Sequence, residues 1–273
     1  MNNEKTIRLG LIGKDVSKSP SETIHTYILS AWGIECAYQR FSVSPQEFDG
    51  AMRCLLGDFD GFNVTIPYKR DVMEYLDGLR GDALRFGAVN TVVCATREGH
   101  NTDGVGFLKM LTANGVQIKG KKALVLGGGG AGRSTLVSLK KGGATAYLYQ
   151  RNAEKRKETC MQLDVSEAED PNAGDYDILV NCTGVGMHDT VGVSPVESRA
   201  FDGAECAVDL IYEPEETAFL KQAKDRGIQT VGGLAMLFYQ AYYADCLYVG
   251  KAADEREAET LYQNYLKIYH ERG

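Results

Sequence analysis

Several signatures that would assign the protein to a class at once are missing from its 273 residues. No apolar run approaches the ~20 residues of a membrane-spanning helix, and the polar start of the chain, MNNEKTIRLG, is unlike a signal peptide. The seven cysteines are odd in number and form no Cys-x-x-Cys pair, and the four histidines are equally dispersed, so neither a disulfide framework nor a zinc site is indicated. We therefore predict a cytoplasmic protein with reduced cysteines and no metal ion.

An excess of positive charge is also lacking, because the formal net charge at pH 7 is −7. A general basic surface for nucleic acid or for an anionic membrane is therefore excluded, and neither is expected as a partner. An anionic ligand would have to be held by local groups. The expected partner is a small-molecule substrate; a homodimer is compatible with the sequence, which does not determine the oligomeric state.

Alternating strand and helix patterns run through the chain and restart once. The first series begins with the apolar run IRLGLIG at 7–13, and the second with KALVLG at 122–127. Such alternation is typical of α/β domains with mostly parallel sheets. Two helical patterns at 232–250 and 257–269 have no strands of their own, so we expect them to pack back on the first domain. The predicted divisions are a first domain at 1–104, a second at 105–236, and C-terminal helices at 237–273 that complete the first.

A glycine-rich turn opens the second domain. In LVLGGGGAGR, Gly127, Gly129 and Gly132 have the spacing G-x-G-x-x-G between an apolar strand and a helix. Glycines at these positions let the backbone approach a pyrophosphate, which binds the free N–H groups of the helix N-terminus. The sequence therefore predicts a Rossmann-like dinucleotide site.

The end of the next strand indicates which dinucleotide binds. Sites for NAD usually carry an acid there, whereas arginine accommodates the 2′-phosphate of NADP. Here the chain has Gln150 and Arg151, followed by Lys155. A solvated helix start would have the same charges, but a cationic cluster in an acidic chain favours NADP over NAD.

The stretch NVTIPYK (63–69) places a cation where it is disfavoured. The pattern predicts a strand that reaches Pro67 and a helix that follows at once, with Lys69 in its first turn. The positive end of a helix would make Lys69 easier to deprotonate, as acid/base work at neutral pH requires. Asp103, in the turn NTDG, is the carboxylate that would orient it. Taken alone, a lysine such as Lys69 is more often a solvated surface residue than a functional one.

Eight stretches, in order and at similar separations, resemble the shikimate dehydrogenase family along nearly the full chain. They are KSPSETIH (18–25), NVTIPYK (63–69), GAVNT (87–91), NTDG (101–104), LGGGGAGR (126–133), NCTGVGM (181–187), DLIYEPEETAFL (209–220) and GGLAMLFYQA (232–241). The resemblance implies an N-terminal α/β substrate domain with a mixed, mostly parallel sheet, a Rossmann-like NADP domain, and C-terminal helices that return to the first domain. It also implies the reversible NADPH-dependent reduction of 3-dehydroshikimate to shikimate, in aromatic biosynthesis.

The resemblance further assigns residues to roles. Lys69 matches the catalytic acid/base and Asp103 its partner. The substrate ligands, which are mostly neutral hydrogen-bonding groups, match Ser19, Ser21, Thr65, Asn90, Asp103, Tyr212 and Gln240. The cofactor contacts match Gly127, Gly129, Gly130, Ala131, Arg151, Lys155, Thr183, Ile211 and Gly233.

Two departures from the family pattern leave alternatives open. The family's S-x-S-P occurs as SKSP (17–20), but a gapless count from Gly13 favours Ser19 and Ser21 as carboxylate ligands, with Ser17 in reserve. The usual Asn-Arg-Thr at the phosphate site is Gln150-Arg151-Asn152, which weakens the preference for NADP over NAD. The alternatives are an NAD-preferring quinate/shikimate dehydrogenase and a sensor that binds shikimate without turnover.

Overall fold

Strands and helices alternate through residues 6–272, the part of the chain that the computed structural model describes. The strands are β1 (Ile7–Gly13), β2 (Cys36–Ser42), β3 (Gly61–Val64), β4 (Gly78–Leu79), β5 (Thr91–Val93), β6 (Glu98–His100), β7 (Lys122–Leu126), β8 (Thr145–Tyr149), β9 (Ser166–Glu167), β10 (Ile178–Asn181), β11 (Cys206–Asp209) and β12 (Gln229–Val231). The helices are α1 (Ser21–Ala31), α2 (Phe48–Asp58), α3 (Asp82–Phe86), α4 (Asp103–Ala113), α5 (Gly130–Lys141), α6 (Ala153–Leu163), α7 (Ala218–Lys224), α8 (Leu234–Val249) and α9 (Glu255–Arg272).

The chain divides into two compact units. The first runs through Thr102 and resumes at Phe238, and the second is Asp103–Leu237. Among residues 6–272, no helix combines the length and apolar character needed to span a bilayer.

The sheet of the first unit is mixed, in the order β2-β1-β3-β5-β6-β4. Strand β1 pairs in parallel with β2 and β3, whereas β5 is antiparallel to both β3 and β6. Strands β5 and β6 are antiparallel because only four residues, 94–97, join them, whereas a parallel crossover needs a dozen or more. Helix α2 and the segment after β3 cover one face through an apolar cluster that includes Phe48, Met52, Phe62 and Tyr68.

The C-terminal helices pack on α1 of the first unit. Tyr27 Oη donates to the carbonyl of Leu261 at 3.3 Å, and Trp32 Nε1 donates to Glu257 Oε1 at 3.2 Å. The ring of Tyr27 also contacts that of Phe238, with centroids 6.3 Å apart. The prediction that these helices return to the first part of the chain is confirmed.

The sheet of the second unit is parallel throughout, in the order β12-β11-β10-β7-β8-β9. Its strands are largely buried apolar runs, as expected where helices cover both faces. Strand β8, which follows β7 in the chain, lies on one side of β7 in the sheet, and β10 lies on the other side. The carboxyl end of β7 is therefore the switch point at which open α/β sheets bind ligands.

One local prediction is wrong. Pro67 and Lys69 lie in a turn, and the segment that follows is a short 3-10 helix at Asp71–Tyr75 rather than an α-helix from Pro67. The first turn of that helix carries Asp71 and Glu74, so the acids occupy its positive end. Contrary to the prediction, Lys69 therefore does not lie in the first turn of an α-helix.

Candidate active site

Asn90 is the centre of a buried hydrogen-bonded cluster in the first unit. Its Nδ2 donates to Thr102 Oγ1 at 3.0 Å and to Gln240 Oε1 at 3.2 Å. Its Oδ1 accepts from the backbone N–H of Thr102 and from Thr91 Oγ1, both at 2.8 Å. Asn90 is 3% exposed. The amide of Asn90 therefore holds three parts of the chain together: the start of β5, the turn before α4, and helix α8.

Lys69 lies beside this cluster. Its carbonyl accepts from the backbone N–H of Val89 at 2.7 Å, one residue before Asn90. Thr65, predicted as another substrate ligand, follows β3, and its N–H donates to the carbonyl of Ile12 at 2.9 Å. Side chains of both residues are half-buried. The sequence-predicted Thr65, Lys69 and Asn90 thus share one end of the first sheet.

Ser19 and Ser21 form a pair at the start of α1. Their hydroxyl oxygens are 2.9 Å apart, and Ser21 N–H donates to Ser19 Oγ at 3.3 Å. Ser17, the alternative ligand, is exposed, and its hydroxyl donates to Asp15 Oδ1 at 2.7 Å. Two adjacent hydroxyls suit the two oxygens of a carboxylate better than one hydroxyl engaged by a neighbouring acid.

The glycine turn of the second unit fits a dinucleotide pyrophosphate. A Cβ on Gly132 would lie 1.8 Å from the carbonyl oxygen of Gly127, so only glycine lets α5 approach the turn. A Cβ on Gly129 or Gly130 would meet nothing within 4 Å, and no side chain caps the N-terminus of α5. The N–H groups at the start of α5, including that of Ala131, are therefore open to an anion.

Beyond the turn, β8 ends in a polar corner. Arg151 and Lys155 are exposed, and Asn152 caps α6 by accepting from Lys155 N–H at 2.9 Å. Gln150 folds against Gly128, where a Cβ would lie 2.2 Å from Gln150 Oε1. Arg156, part of the same cationic run, is instead buried against Glu167, with Nε and Oε1 2.7 Å apart.

Asp209 and Asn181 join the loops that follow β11 and β10. Asp209 is fully buried; its Oδ1 accepts from Ile211 N–H at 3.0 Å and its Oδ2 from Thr217 Oγ1 at 2.7 Å. Asn181 Nδ2 donates to Asp209 Oδ1 at 3.1 Å, and Asn181 Oδ1 accepts from Thr183 Oγ1 at 2.7 Å. The predicted cofactor contacts Thr183 and Ile211 are therefore held in register by one carboxylate–amide pair.

Burial raises the pKa of Asp209, while the bonds from Ile211, Thr217 and Asn181 lower it. These donors offset much of the cost of placing a carboxylate in the core.

The remaining predicted residues are spread over the second unit. Gly233 lies where a Cβ would be 2.3 Å from the carbonyl oxygen of Leu210, and its N–H donates to the carbonyl of Ile211 at 3.1 Å. Tyr212 follows Ile211 and is half-buried. Asp103 is buried at the first position of α4, next in sequence to Thr102.

Sequence reasoning did not identify Thr102, Asn181 and Asp209 as contributors to the site, although the quoted motifs contain all three. The sequence feature that could have identified these three residues is a short polar side chain at the end of a buried apolar strand or just before a helix. That pattern is common and does not show which two chain segments the side chain joins.

The two units together define a class of protein, a dinucleotide-dependent α/β oxidoreductase with a polar hydrogen-bonding cluster on its first sheet. The chain belongs to the shikimate dehydrogenase family. Residues 11–92 match the family model described as the shikimate dehydrogenase substrate binding domain.

The similarity extends over most of the chain. The protein is 38% identical to the shikimate dehydrogenase (NADP(+)) of Caldanaerobacter subterraneus subsp. tengcongensis, over 90% of this chain and 92% of that one. It is 35% identical to that of Shouchella clausii, over 96% and 99%. A crystal structure of shikimate 5-dehydrogenase from Thermus thermophilus in complex with NADP(H) and shikimate superposes with a TM-score of 0.87, at 32% identity, over 95% of this chain and 99% of that one.

Proposed function

We propose that the protein catalyses the reversible NADPH-dependent reduction of 3-dehydroshikimate to shikimate. The observation that carries this proposal is the Asn90 cluster beside Lys69. A polyhydroxylated ring needs several neutral donors and acceptors in fixed positions, and each matched group also rejects analogues that lack its partner. Asn90, Thr102 and Gln240 provide such groups within hydrogen-bond distance of one another.

In this mechanism the first unit binds and protonates the substrate. Ser19 and Ser21 donate to the ring carboxylate, while Thr65, Asn90 and Gln240 bind ring hydroxyls. Lys69 Nζ donates a proton to the carbonyl oxygen during reduction and accepts it back during oxidation, and Asp103 is its partner. Tyr212 is a further substrate contact. NADPH supplies, when bound, the hydride that reduces the carbonyl carbon.

The second unit holds the dinucleotide. Gly127 forms the tight turn, with its own N–H donating to the carbonyl of Tyr149 at 2.9 Å. The N–H groups of Gly129, Gly130 and Ala131 bind the pyrophosphate, and Arg151 with Lys155 binds the 2′-phosphate. Thr183, Ile211 and Gly233 line the remainder of that site. The domain roles proposed with this mechanism are substrate binding by residues 1–104, NADP binding by 105–236, and completion of the substrate domain by 237–273.

Steady-state assays with two substrates and two cofactors test the proposal. We expect turnover with shikimate and NADP to exceed that with quinate or NAD. A preference for NAD and quinate would instead support the catabolic alternative. The sequence Gln150-Arg151-Asn152, in place of the usual Asn-Arg-Thr, weakens the preference for NADP over NAD and so keeps that alternative open. Binding of shikimate without NADPH formation would support the sensor.

Location and assembly belong to the same proposal. The seven cysteines are free, and reduced thiols are typical of the cytoplasm. A homodimer is tested by light scattering of the purified protein, with a mass near twice 29.9 kDa expected.

A further inference from the structure

A second polar cluster lies in the first unit, behind the serine pair. We call it the His25 network; it consists of His25 on α1, Tyr38 on β2, and Asp245 and Tyr248 on α8. His25 Nδ1 and Asp245 Oδ1 are 2.6 Å apart, and both side chains are fully buried. The His25 ring stacks on Tyr38 with centroids 5.2 Å apart and is tilted against Tyr248 at 6.4 Å.

The surroundings of this pair are apolar. Tyr38 and Tyr248 pack against a buried cluster of Ile7, Leu9 and Leu29. Burial raises the pKa of Asp245, and the neighbouring His25 opposes that shift. Because well-packed apolar residues often stabilise such a position as well as a buried ion pair does, stability alone gives little reason for the pair.

Four buried polar atoms of the network have no hydrogen-bond partner among the protein atoms of residues 6–272: His25 Nε2, Tyr38 Oη, Asp245 Oδ2 and Tyr248 Oη. Such atoms are costly to leave unsatisfied. Several of them around one ring indicate bound water, which needs two to four polar partners.

The network borders the substrate groups at two places. Ser21 and His25 lie one turn apart on α1. Burial and then Asp245 raise the pKa of Tyr38, and Ser21 partly opposes that shift. At the other side, burial raises the pKa of Tyr248 and Thr91 partly opposes that shift; Thr91 Oγ1 in turn donates to Asn90 Oδ1.

We propose that His25, held by Asp245, and Tyr38 are positioning residues for Ser21, and that a buried water completes their hydrogen bonds. The inference rests on the proposed function, in which Ser19 and Ser21 bind the substrate carboxylate. Each serine has one proton to donate. Ser19 Oγ already accepts from Ser21 N–H, and the network supplies the donor to Ser21 Oγ through the water. When a carboxylate replaces the bond between the two hydroxyls, which are 2.9 Å apart, both serine protons are directed to it.

Tyr38→Phe tests this role, because it removes one hydroxyl and keeps the ring that stacks on His25. We expect the KM for shikimate to rise about three- to tenfold, as for loss of one hydrogen bond, with kcat and the KM for NADP unchanged. Asp245→Asn is expected to give the same selective rise. Tyr27→Phe, which removes a hydroxyl from the opposite side of α1, is the matched control and should leave the KM for shikimate unchanged.

A substrate analogue separates positioning from a general effect on folding. The analogue has a methyl group in place of the carboxylate, which cannot accept a hydrogen bond from either serine, so wild type and Tyr38→Phe should have the same kcat/KM with it. An equal loss with both substrates, or an unchanged KM for shikimate in Tyr38→Phe, would overturn the inference. If the wild type itself failed to oxidise shikimate, the proposed function would fail instead.

A crystal structure of the wild type tests the water directly. We expect an ordered water within hydrogen-bond distance of His25 Nε2 and of a tyrosine hydroxyl. A well-ordered network without that water would overturn this part of the inference.

Discussion

Lys69 is the residue whose chemistry the proposed reaction depends on most, and its placement differs from the one that the sequence predicts. It lies in a turn before a short 3-10 helix rather than in the first turn of an α-helix. Its position next to the Asn90 cluster comes from the backbone bond between Val89 N–H and the Lys69 carbonyl, at 2.7 Å. Its role therefore rests on where β3 and β5 place it, and not on the field of a helix.

We predict that Lys69→Ala lowers kcat about 10²- to 10⁴-fold, because a proton donor to the carbonyl oxygen is lost. The KM for shikimate should change little, since the ring ligands remain. Arg70→Ala, which removes the adjacent exposed cation, is the control in the same steady-state assay. A large rise in KM at unchanged kcat would show that Lys69 only binds the substrate.

Arg151 at the end of β8 distinguishes the two cofactors. We predict that Arg151→Ala raises the KM for NADP about tenfold, the size of one charge-assisted hydrogen bond, and leaves the KM for NAD nearly unchanged. Lys157→Ala on the exposed side of α6 should affect neither. Equal losses for both cofactors would contradict a 2′-phosphate contact.

At the scale of elements, short polar side chains at the ends of buried strands fix the adjoining segments of the chain. In the second unit Asp209 accepts hydrogen bonds from both the β10 and the β11 loops. In the first unit Asn90, just before β5, accepts from Thr102 N–H in the turn before α4 and donates to Gln240 on helix α8. Each buried pair sets the spacing of side chains that are distant in sequence.

We predict that Asp209→Asn weakens NADP binding and destabilises the protein. The amide nitrogen would face a donor from Asn181, Thr217 or Ile211, and an unsatisfied buried group costs about 1–3 kcal/mol. Titration of the intrinsic fluorescence with NADP and urea unfolding measure the two effects. Asp225→Asn, at an exposed position after α7, is the control, and an unaltered NADP affinity in Asp209→Asn would exclude the loop-positioning role.

For the molecule as a whole, stability should depend on pH through His100 in β6. Burial lowers the pKa of this half-buried histidine below its usual 6.5; Glu98 opposes that shift to a smaller extent, and Arg80 adds to it. The unfolded chain thus takes up the proton at a higher pH than the folded protein does. Stability that is present above pH 6.5 is lost as the pH falls through 6.5 toward the folded pKa.

We therefore expect the urea midpoint of the wild type to fall between pH 7.5 and 5.5 by more than that of His100→Gln. His270→Gln, at an exposed position on α9, should behave as the wild type. The same pH dependence in all three proteins would show that His100 contributes nothing to it.

The α/β class and the C-terminal helices were predictable because alternating apolar periods report directly which faces are buried. The glycine turn was predictable for a similar local reason, since the spacing of Gly127, Gly129 and Gly132 between a strand and a helix occurs within one short segment. The helix after Pro67 was predicted wrongly, because Val72, Met73 and Leu76 fit an α-helical period although only one 3-10 turn forms.

The sequence by itself determined the class of fold, the family and the residue types from which the site is built. Tertiary structure alone decided which of these side chains meet: Asn90 with Gln240, Asn181 with Asp209, and His25 with Asp245 across 220 residues. The physical reason is that periodicity and turn chemistry are local, whereas a hydrogen bond between strands or helices depends on how the sheets order those elements in space.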